Sequence, residues 1–253
     1  MARLRGIGLL SILVFAGACG GSPNSAVRSS AATRPPTQPG EAASTAADHA
    51  LAAAAVLRLA DLPKGWGLRQ QSSAPDVPGL QDQLAQCLGV SASLFEKNRK
   101  TNVESPDFVD LTDEQVLTDE VGYLPTAAQA KQNVSVLSEP QAPACLSSAI
   151  GSFMSYELSH PNTAEATLPA GVTIGQVTVA SLEFPKVGDD TIAYRLSIPF
   201  NVQTNQLTFY VDLVASTKGR AGTVLLLERP LHPPDESLEN QLQFAVVERL
   251  AST

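Results

Sequence analysis

Few side chains in this sequence have the types and spacing that catalysis or metal binding requires. The three histidines are far apart, and no two of them have the spacing of metal ligands: His49, His160 and His232. The sequence contains no Gly-x-Ser-x-Gly nucleophile elbow and no glycine-rich phosphate loop. It therefore predicts no catalytic residue, no metal site and no bound cofactor, which favours a chain that is not an enzyme.

Carboxylates are the remaining candidates, among them the adjacent pairs Asp113-Glu114, Asp119-Glu120 and Asp189-Asp190. Two carboxylates can perform acid–base chemistry when they face each other across a cleft. Adjacent residues on a strand point to opposite faces, so Asp119 and Glu120 cannot line one pocket. We interpret the three pairs as solvated surface. The polar run 186–190 leaves weak calcium binding open.

The clearest chemistry lies at the N-terminus, where a cysteine follows an export signal. Arg3 and Arg5 precede an apolar run over residues 6–15, which is shorter than the roughly 20 residues of a permanent membrane helix. The small residues Ala16-Gly17-Ala18 then lead into Cys19. This stretch resembles a prolipoprotein signal with its lipobox, although Ala16 stands where leucine is typical. The resemblance implies cleavage before Cys19, diacylglycerol on its thiol and a membrane as partner. An ordinary secretory signal is the alternative.

Two further cysteines, Cys87 and Cys145, form an even pair once Cys19 carries a lipid. Exported proteins fold in oxidising compartments, where one disulfide is the simplest use of such a pair. The bond would close a loop of almost sixty residues and stabilise the fold by roughly 4 kcal/mol. Two separate buried thiols are the alternative.

The composition is that of a folded, acidic protein. Hydrophobic residues make up 43% of the 253 residues and charged residues 17%, which is enough apolar material for a core. The net charge is −8, and it becomes −8 − 2 = −10 when Arg3 and Arg5 leave with the signal. An acidic surface repels phosphate backbones, so we expect no nucleic-acid partner.

Three regions follow from these patterns. Residues 1–18 are the expected signal peptide. Residues 19–47 are rich in Ser, Thr, Pro, Ala and Gly and have almost no large apolar residue, which predicts a flexible tether. Residues 48–253 are expected to form a single domain.

Within that domain, apolar spacing predicts helices followed by a run of strands. The expected helices cover residues 49–59, 80–88, 125–137, 144–158 and a last segment after Asp235. The expected strands cover 115–124, 172–184, 192–200, 207–215 and 222–229. Consecutive strands with short links favour an antiparallel meander. We therefore predict an α+β fold, an antiparallel sheet of about five to six strands with helices packed on one face.

The strand pattern also predicts one specific contact. If Gln203 and Thr204 form the loop between two strands, Arg195 lies directly opposite Asp212. Opposite charges in such a cross-strand pair contribute about 0.2–1 kcal/mol.

Several short motifs occur together and indicate a family. They are the lipobox, the following tether, Asp61-Leu62-Pro63-x-Gly65-Trp66, the two spaced cysteines and Gly188-Asp189 before a strand. The chain resembles actinobacterial sensor domain-containing lipoproteins and is more distantly similar to extracellular sensor domains of mycobacterial receptor kinases. The resemblance implies an antiparallel sheet packed by helices, a disulfide and a cleft for an envelope ligand. Those kinase domains often have two disulfides, whereas this chain can form one.

Three functions remain open from the sequence. The first is a non-catalytic ligand-binding or sensing module of the cell envelope, lipid-anchored through Cys19 on the extracytoplasmic face of the membrane, with an envelope ligand or a protein as partner. The second is a carrier or accessory factor for lipids or envelope polymers, which would need an apolar cavity. The third is a secreted hydrolase, which would need a pocket where titratable residues with shifted pKa values converge.

Overall fold

The computed structural model describes residues 39–69, 79–92, 94, 101–159 and 171–251. The signal segment, Cys19 and the tether up to residue 38 lie outside the described residues. The helices are α1 (Pro39–Ala55), α2 (Leu80–Leu88), α3 (Ala127–Leu137), α4 (Ala142–Ser159) and α5 (Glu236–Ala251), with a short 3-10 turn at Leu59–Asp61. In the described part of the chain, no helix is both long and apolar enough to cross a bilayer.

In the part of the chain that the structure describes, nine strands form one antiparallel sheet. They are β1 (Trp66–Arg69), β2 (Val103–Glu104), β3 (Asp107–Asp110), β4 (Gln115–Tyr123), β5 (Thr173–Ile174), β6 (Thr178–Ser181), β7 (Asp190–Val202), β8 (Asn205–Lys218) and β9 (Ala221–Pro230). The strand order is β1-β3-β4-β9-β8-β7-β5, with β2 beside β4 and β6 beside β7. The strands from β6 to β9 form the expected meander. The expected α+β class and antiparallel sheet are confirmed.

Helices cover both faces of this sheet, so the prediction of helices on one face is wrong. On one face α2, α3 and α4 pack over Leu196, Ile198 and Leu213. On the other face α1 and α5 pack over Val214 and Leu225. Both faces are apolar because β9 carries the unbroken run 224–227, which places large side chains on each side of the strand.

The sheet also has more strands than the five or six predicted. The additional strands β1, β2 and β3 have two to four residues each, too few for a visible alternation. The single strand expected over 172–184 is divided into β5 and β6. Pro199 of β7 lies opposite the break and has no N–H for the ladder, and three residues of the broken strand stand opposite two of β7.

The first helix begins at Pro39, nine residues before the expected boundary at Asp48. Its sequence is rich in alanine, the strongest helix former, which accounts for the longer helix. Asp48 is buried, and both of its carboxylate oxygens accept hydrogen bonds from the Arg220 guanidinium at 2.7 and 3.1 Å. This pair attaches α1 to the turn between β8 and β9.

The predicted cross-strand contact is confirmed. Gln203 and Thr204 form the turn between β7 and β8, and Arg195 pairs with Asp212 in the ladder. Arg195 donates two parallel hydrogen bonds to the Asp212 carboxylate, at 2.8 and 2.5 Å. This face lies beneath α5, so the Asp212 side chain is fully buried.

Candidate functional site

The disulfide joins two of the helices that cover one face of the sheet. Cys87 in the last turn of α2 is bonded to Cys145 in the first turn of α4, with Cα atoms 5.6 Å apart. This is the pairing that the cysteine count indicated. The bond fixes the separation between α2 and α4, which pack against each other.

A cleft lies between these helices, α3 and strands β8 and β9. Its volume is about 70 Å³. Its walls are mainly apolar side chains from each of these elements, among them Leu84 of α2, Val134 of α3, Leu146 of α4, Leu213 of β8 and Val224 of β9. Because Leu84 and Leu146 belong to the two bonded helices, the disulfide determines one side of the cleft.

The floor of the cleft is open because one row of the sheet carries small residues. Thr217, Gly222 and Gly122 are cross-strand neighbours in β8, β9 and β4. A Cβ added to Gly222 would meet no heavy atom within 4 Å, whereas a Cβ added to Gly122 would collide with the side chain of Asn102. The space above Gly122 is therefore filled by Asn102, and the space above Gly222 remains open.

Two polar side chains interrupt this apolar lining. Asn133 lies beside the buried stripe of α3, and Thr217 continues the row of Leu213 and Ala215 on β8. The Asn133 Oδ1 and the Thr217 Oγ1 are buried, and neither has a hydrogen-bond partner. None of the described residues that line the cleft is ionisable. A cleft of this kind can bind a small apolar group, and it offers hydrogen bonds without charge.

The titratable cluster whose carboxyl has the most strongly raised pKa lies on the opposite face of the sheet, beneath α5. Glu239 is fully buried beside Arg195 and Asp212, and neither of its carboxyl oxygens has a partner with good hydrogen-bond geometry. Burial, followed by the negative charge of Asp212, raises the pKa of Glu239 to about 9. Because of this raised pKa, the Glu239 carboxyl is protonated at neutral pH. One turn further along α5, Gln243 is also fully buried and its amide has no hydrogen-bond partner.

A second buried acid lies on the same face, at the end of α1. Asp119 accepts hydrogen bonds from the Leu57 N–H at 3.1 Å and from the Thr223 hydroxyl at 2.9 Å. Burial raises the pKa of Asp119 to about 7, although the two hydrogen bonds act to lower it. The interpretation of Asp119 as solvated surface is wrong, because α1 ends directly above β4 and covers this carboxylate. Since it anchors the chain that leaves α1, we assign it a structural role.

The other predicted acids do not converge on a site either. Glu120 points to the face opposite Asp119, as strand geometry requires, and accepts a hydrogen bond from the Asn102 amide at 2.6 Å. Burial raises the pKa of Glu120 to about 8. Asp189 accepts a hydrogen bond from the Gly219 N–H at 2.7 Å, and this bond lowers its pKa. Across the described ranges, no cluster of three His, Cys, Asp or Glu residues could hold a metal ion.

The periodic positions of two polar residues in the sequence indicate the cleft, whereas the short motifs do not. Asn133 follows Ala130 by three residues, beside the stripe that continues to Val134 and Leu137, so it is a polar, half-buried residue at the edge of an apolar helical stripe. Thr217 follows Leu213 and Ala215 at intervals of two, so it lies on the same buried strand face. His49 and His232 are exposed, and His160 lies outside the described residues.

No family model matches this sequence, and no curated protein matches it. Two solved structures from Mycobacterium tuberculosis are similar to it. The extracellular domain of PknH has 12% identity and a TM-score of 0.40, over 81% of this chain and 97% of that chain. LpqN, which is involved in cell envelope biogenesis, has 16% identity and a TM-score of 0.25, over 74% and 76% of the two chains. The first agrees with the distant similarity to extracellular sensor domains that the motifs indicated. At these TM-scores, neither similarity carries an argument about function.

Proposed function

We propose that this chain is a lipoprotein of the cell envelope, attached through Cys19 to the extracytoplasmic face of a membrane. Its folded part is a non-catalytic module that binds a small ligand in the cleft between α3 and strands β8 and β9. The observation that carries the binding role is the cleft itself, which has an apolar lining, two unpartnered polar atoms and a wall fixed by the disulfide.

The positions of the titratable groups favour binding over hydrolysis. The acids with raised pKa values are Asp119, Glu120 and Glu239, and none of them lines the cleft. Asp119 and Glu239 lie on the other face of the sheet, beneath α1 and α5. Glu120 lies on the cleft's face beside Val224, where it accepts a hydrogen bond from the Asn102 amide and stays outside the lining. The cleft therefore contains no general acid or base among the described residues, and no observation favours the hydrolase that the sequence left open.

The size of the cleft favours a binding module over a carrier of whole lipids. Its volume of about 70 Å³ is below the roughly 300–1,000 Å³ of pockets that enclose drug-sized ligands. A carrier must shield long acyl chains from water, and this cleft holds only a short segment of such a chain. The apolar lining is in line with the carrier hypothesis, but the volume is not.

The binding role is tested by filling the cleft with an added side chain and identifying the bound molecule that the variant no longer carries. Gly222→Val adds a side chain where no atom lies within 4 Å, on a strand conformation that valine readily adopts. Gly67→Val on edge strand β1 also adds a side chain into open space and is the matched control. We expect native mass spectrometry of the wild-type chain and of Gly67→Val, isolated from the envelope, to show one shared small molecule that Gly222→Val lacks. An empty wild-type chain, or the same molecule on Gly222→Val, would contradict the role of the cleft.

The attachment is tested separately. Cys19→Ala removes the thiol that carries the lipid, and a flexible tether alone does not bind a membrane. We expect this variant to appear in the culture medium while the wild-type chain stays in the membrane fraction. Cys19→Ala protein that remains with membranes would show that another feature anchors the chain.

A further inference from the structure

We infer that the ligand of the cleft is an uncharged, short aliphatic group that carries a hydroxyl. This inference rests on the proposed function and specifies the chemistry of the group that enters the cleft. It is derived from three properties of the cleft: its lack of charge, its volume and its unpartnered polar atoms.

The lack of ionisable residues excludes charged head groups. A carboxylate, phosphate or ammonium group that entered the cleft would lose its hydration and find no opposite charge in the lining. Glu120 lies on the cleft's face, directly opposite Val224, but it accepts a hydrogen bond from the Asn102 amide and does not line the cleft. Arg195 and Asp212 face the other side of the sheet and already pair with each other. A neutral ligand avoids this desolvation cost.

The volume sets the length of the apolar part. One water molecule needs roughly 10–15 Å³ of cavity space, so a cleft of about 70 Å³ has room for about five groups of that size. A linear chain of about five carbon atoms, or a branched group of similar size, therefore fills it. Burial of five methylene groups corresponds to a Kd of about 1 mM for an isolated fragment of this kind.

The unpartnered atoms indicate what the apolar chain carries. Asn133 Oδ1 needs a donor, and the Thr217 hydroxyl can both donate and accept. A ligand hydroxyl supplies a donor for Asn133 and an acceptor for Thr217, once rotation of these two side chains turns the atoms towards the cleft. Both atoms are buried and accept no hydrogen bond from another protein group, so a ligand hydroxyl that satisfies them offsets a desolvation cost.

The experiment compares three probes of equal chain length: 1-hexanol, hexanoate and hexylammonium. The protein is the Cys19→Ala chain, so that no lipid phase absorbs the probes, and binding is followed by NMR titration. We expect 1-hexanol to bind with a Kd in the low millimolar range and to bind at least tenfold more tightly than either charged probe. Gly222→Val is expected to abolish this binding, whereas Gly67→Val should leave it unchanged.

A second variant examines the hydroxyl contact without closing the cleft. Thr217→Val keeps the shape of the side chain and removes its hydroxyl, which should weaken 1-hexanol binding about three- to tenfold. If Thr217→Val binds 1-hexanol as tightly as the parent chain does, the assignment of the hydroxyl contact is overturned.

The outcomes separate this inference from the proposed function. Tight binding of hexanoate or hexylammonium would overturn the uncharged class and leave the cleft as a binding site. If no probe binds, the inference is overturned. The proposed function would then stand only if the wild-type chain still carries an envelope molecule that Gly222→Val lacks. If the wild-type chain also carries no such molecule, the proposed function fails as well.

Discussion

Replacement of Glu239 by glutamine should remove a pH dependence of stability that its buried carboxyl creates. Glu239 is fully buried under α5, next to the Asp212 carboxylate that Arg195 neutralises. Burial and the charge of Asp212 raise its pKa from 4.5 to about 9. The folded protein therefore retains a proton on Glu239 at neutral pH, whereas the unfolded chain releases it.

The sign and size of the effect follow from this difference in bound protons. The folded state binds more protons than the unfolded state between pH 4.5 and about 9, so the stability contributed by Glu239 is complete below pH 4.5 and is lost as the pH rises to about 9. Each pH unit in this window reduces the free energy of unfolding by up to about 1.4 kcal/mol. The interval from pH 5.5 to 7.5 therefore costs the wild-type protein up to about 3 kcal/mol.

Glutamine has the shape of the protonated carboxyl and does not titrate, so Glu239→Gln should lose this slope. The assay is urea unfolding at pH 5.5, 6.5 and 7.5 for both proteins. The other buried acids, Asp119 and Glu120, contribute equally to both and cancel in the difference. We expect the variant to gain up to about 3 kcal/mol relative to the wild type across this interval. Glu248→Gln, at an exposed residue further along α5, is the control and should run parallel to the wild type. Parallel curves for Glu239→Gln would refute the reasoning.

Two further predictions concern the disulfide and the turns. Cys87→Ser combined with Cys145→Ser opens a loop with a sequence separation of 58 and should lower the free energy of unfolding in urea by about 4 kcal/mol. Reductant should shift the unfolding midpoint of the wild type to that of the double variant. A wild-type midpoint that reductant does not change would contradict the disulfide. Gly188→Ala should lower the Tm more than Gly219→Ala. Both glycines have positive φ, 78° and 57°, but only at Gly188 would a Cβ collide with the Thr217 carbonyl oxygen. Equal losses would contradict that packing.

Local patterns predicted the parts of the fold that depend on neighbours in sequence. The alternation over 192–200 and 207–215, with a two-residue loop between the strands, was sufficient to determine the register that pairs Arg195 with Asp212. The buried state of Asp212 was not predictable in this way, because it depends on where α5 packs after the last strand. The run 224–227 indicated a strand covered on both sides, but which helix covers which side depends on contacts between distant segments.

The cleft shows more clearly that local sequence patterns do not predict contacts between distant segments. Local periodicity assigns Thr217 to a buried face and Asn133 to the edge of one, and the turn at Gly219 places Thr217 beside Gly222. The next pairing joins distant segments: β9 lies against β4, so that Gly222 stands beside Gly122, a hundred residues earlier in the chain. Asn102 fills the space above Gly122, while the space above Gly222 stays open. Between β4 and β9 the sequence inserts two helices and four strands, and no local pattern indicates that β4 completes the meander. A buried polar residue at the end of an apolar row was therefore readable from the sequence, but the open space in front of it was not. Because that space comes from glycine at position 222, a single side chain added there tests the cleft without changing the residues that form its walls.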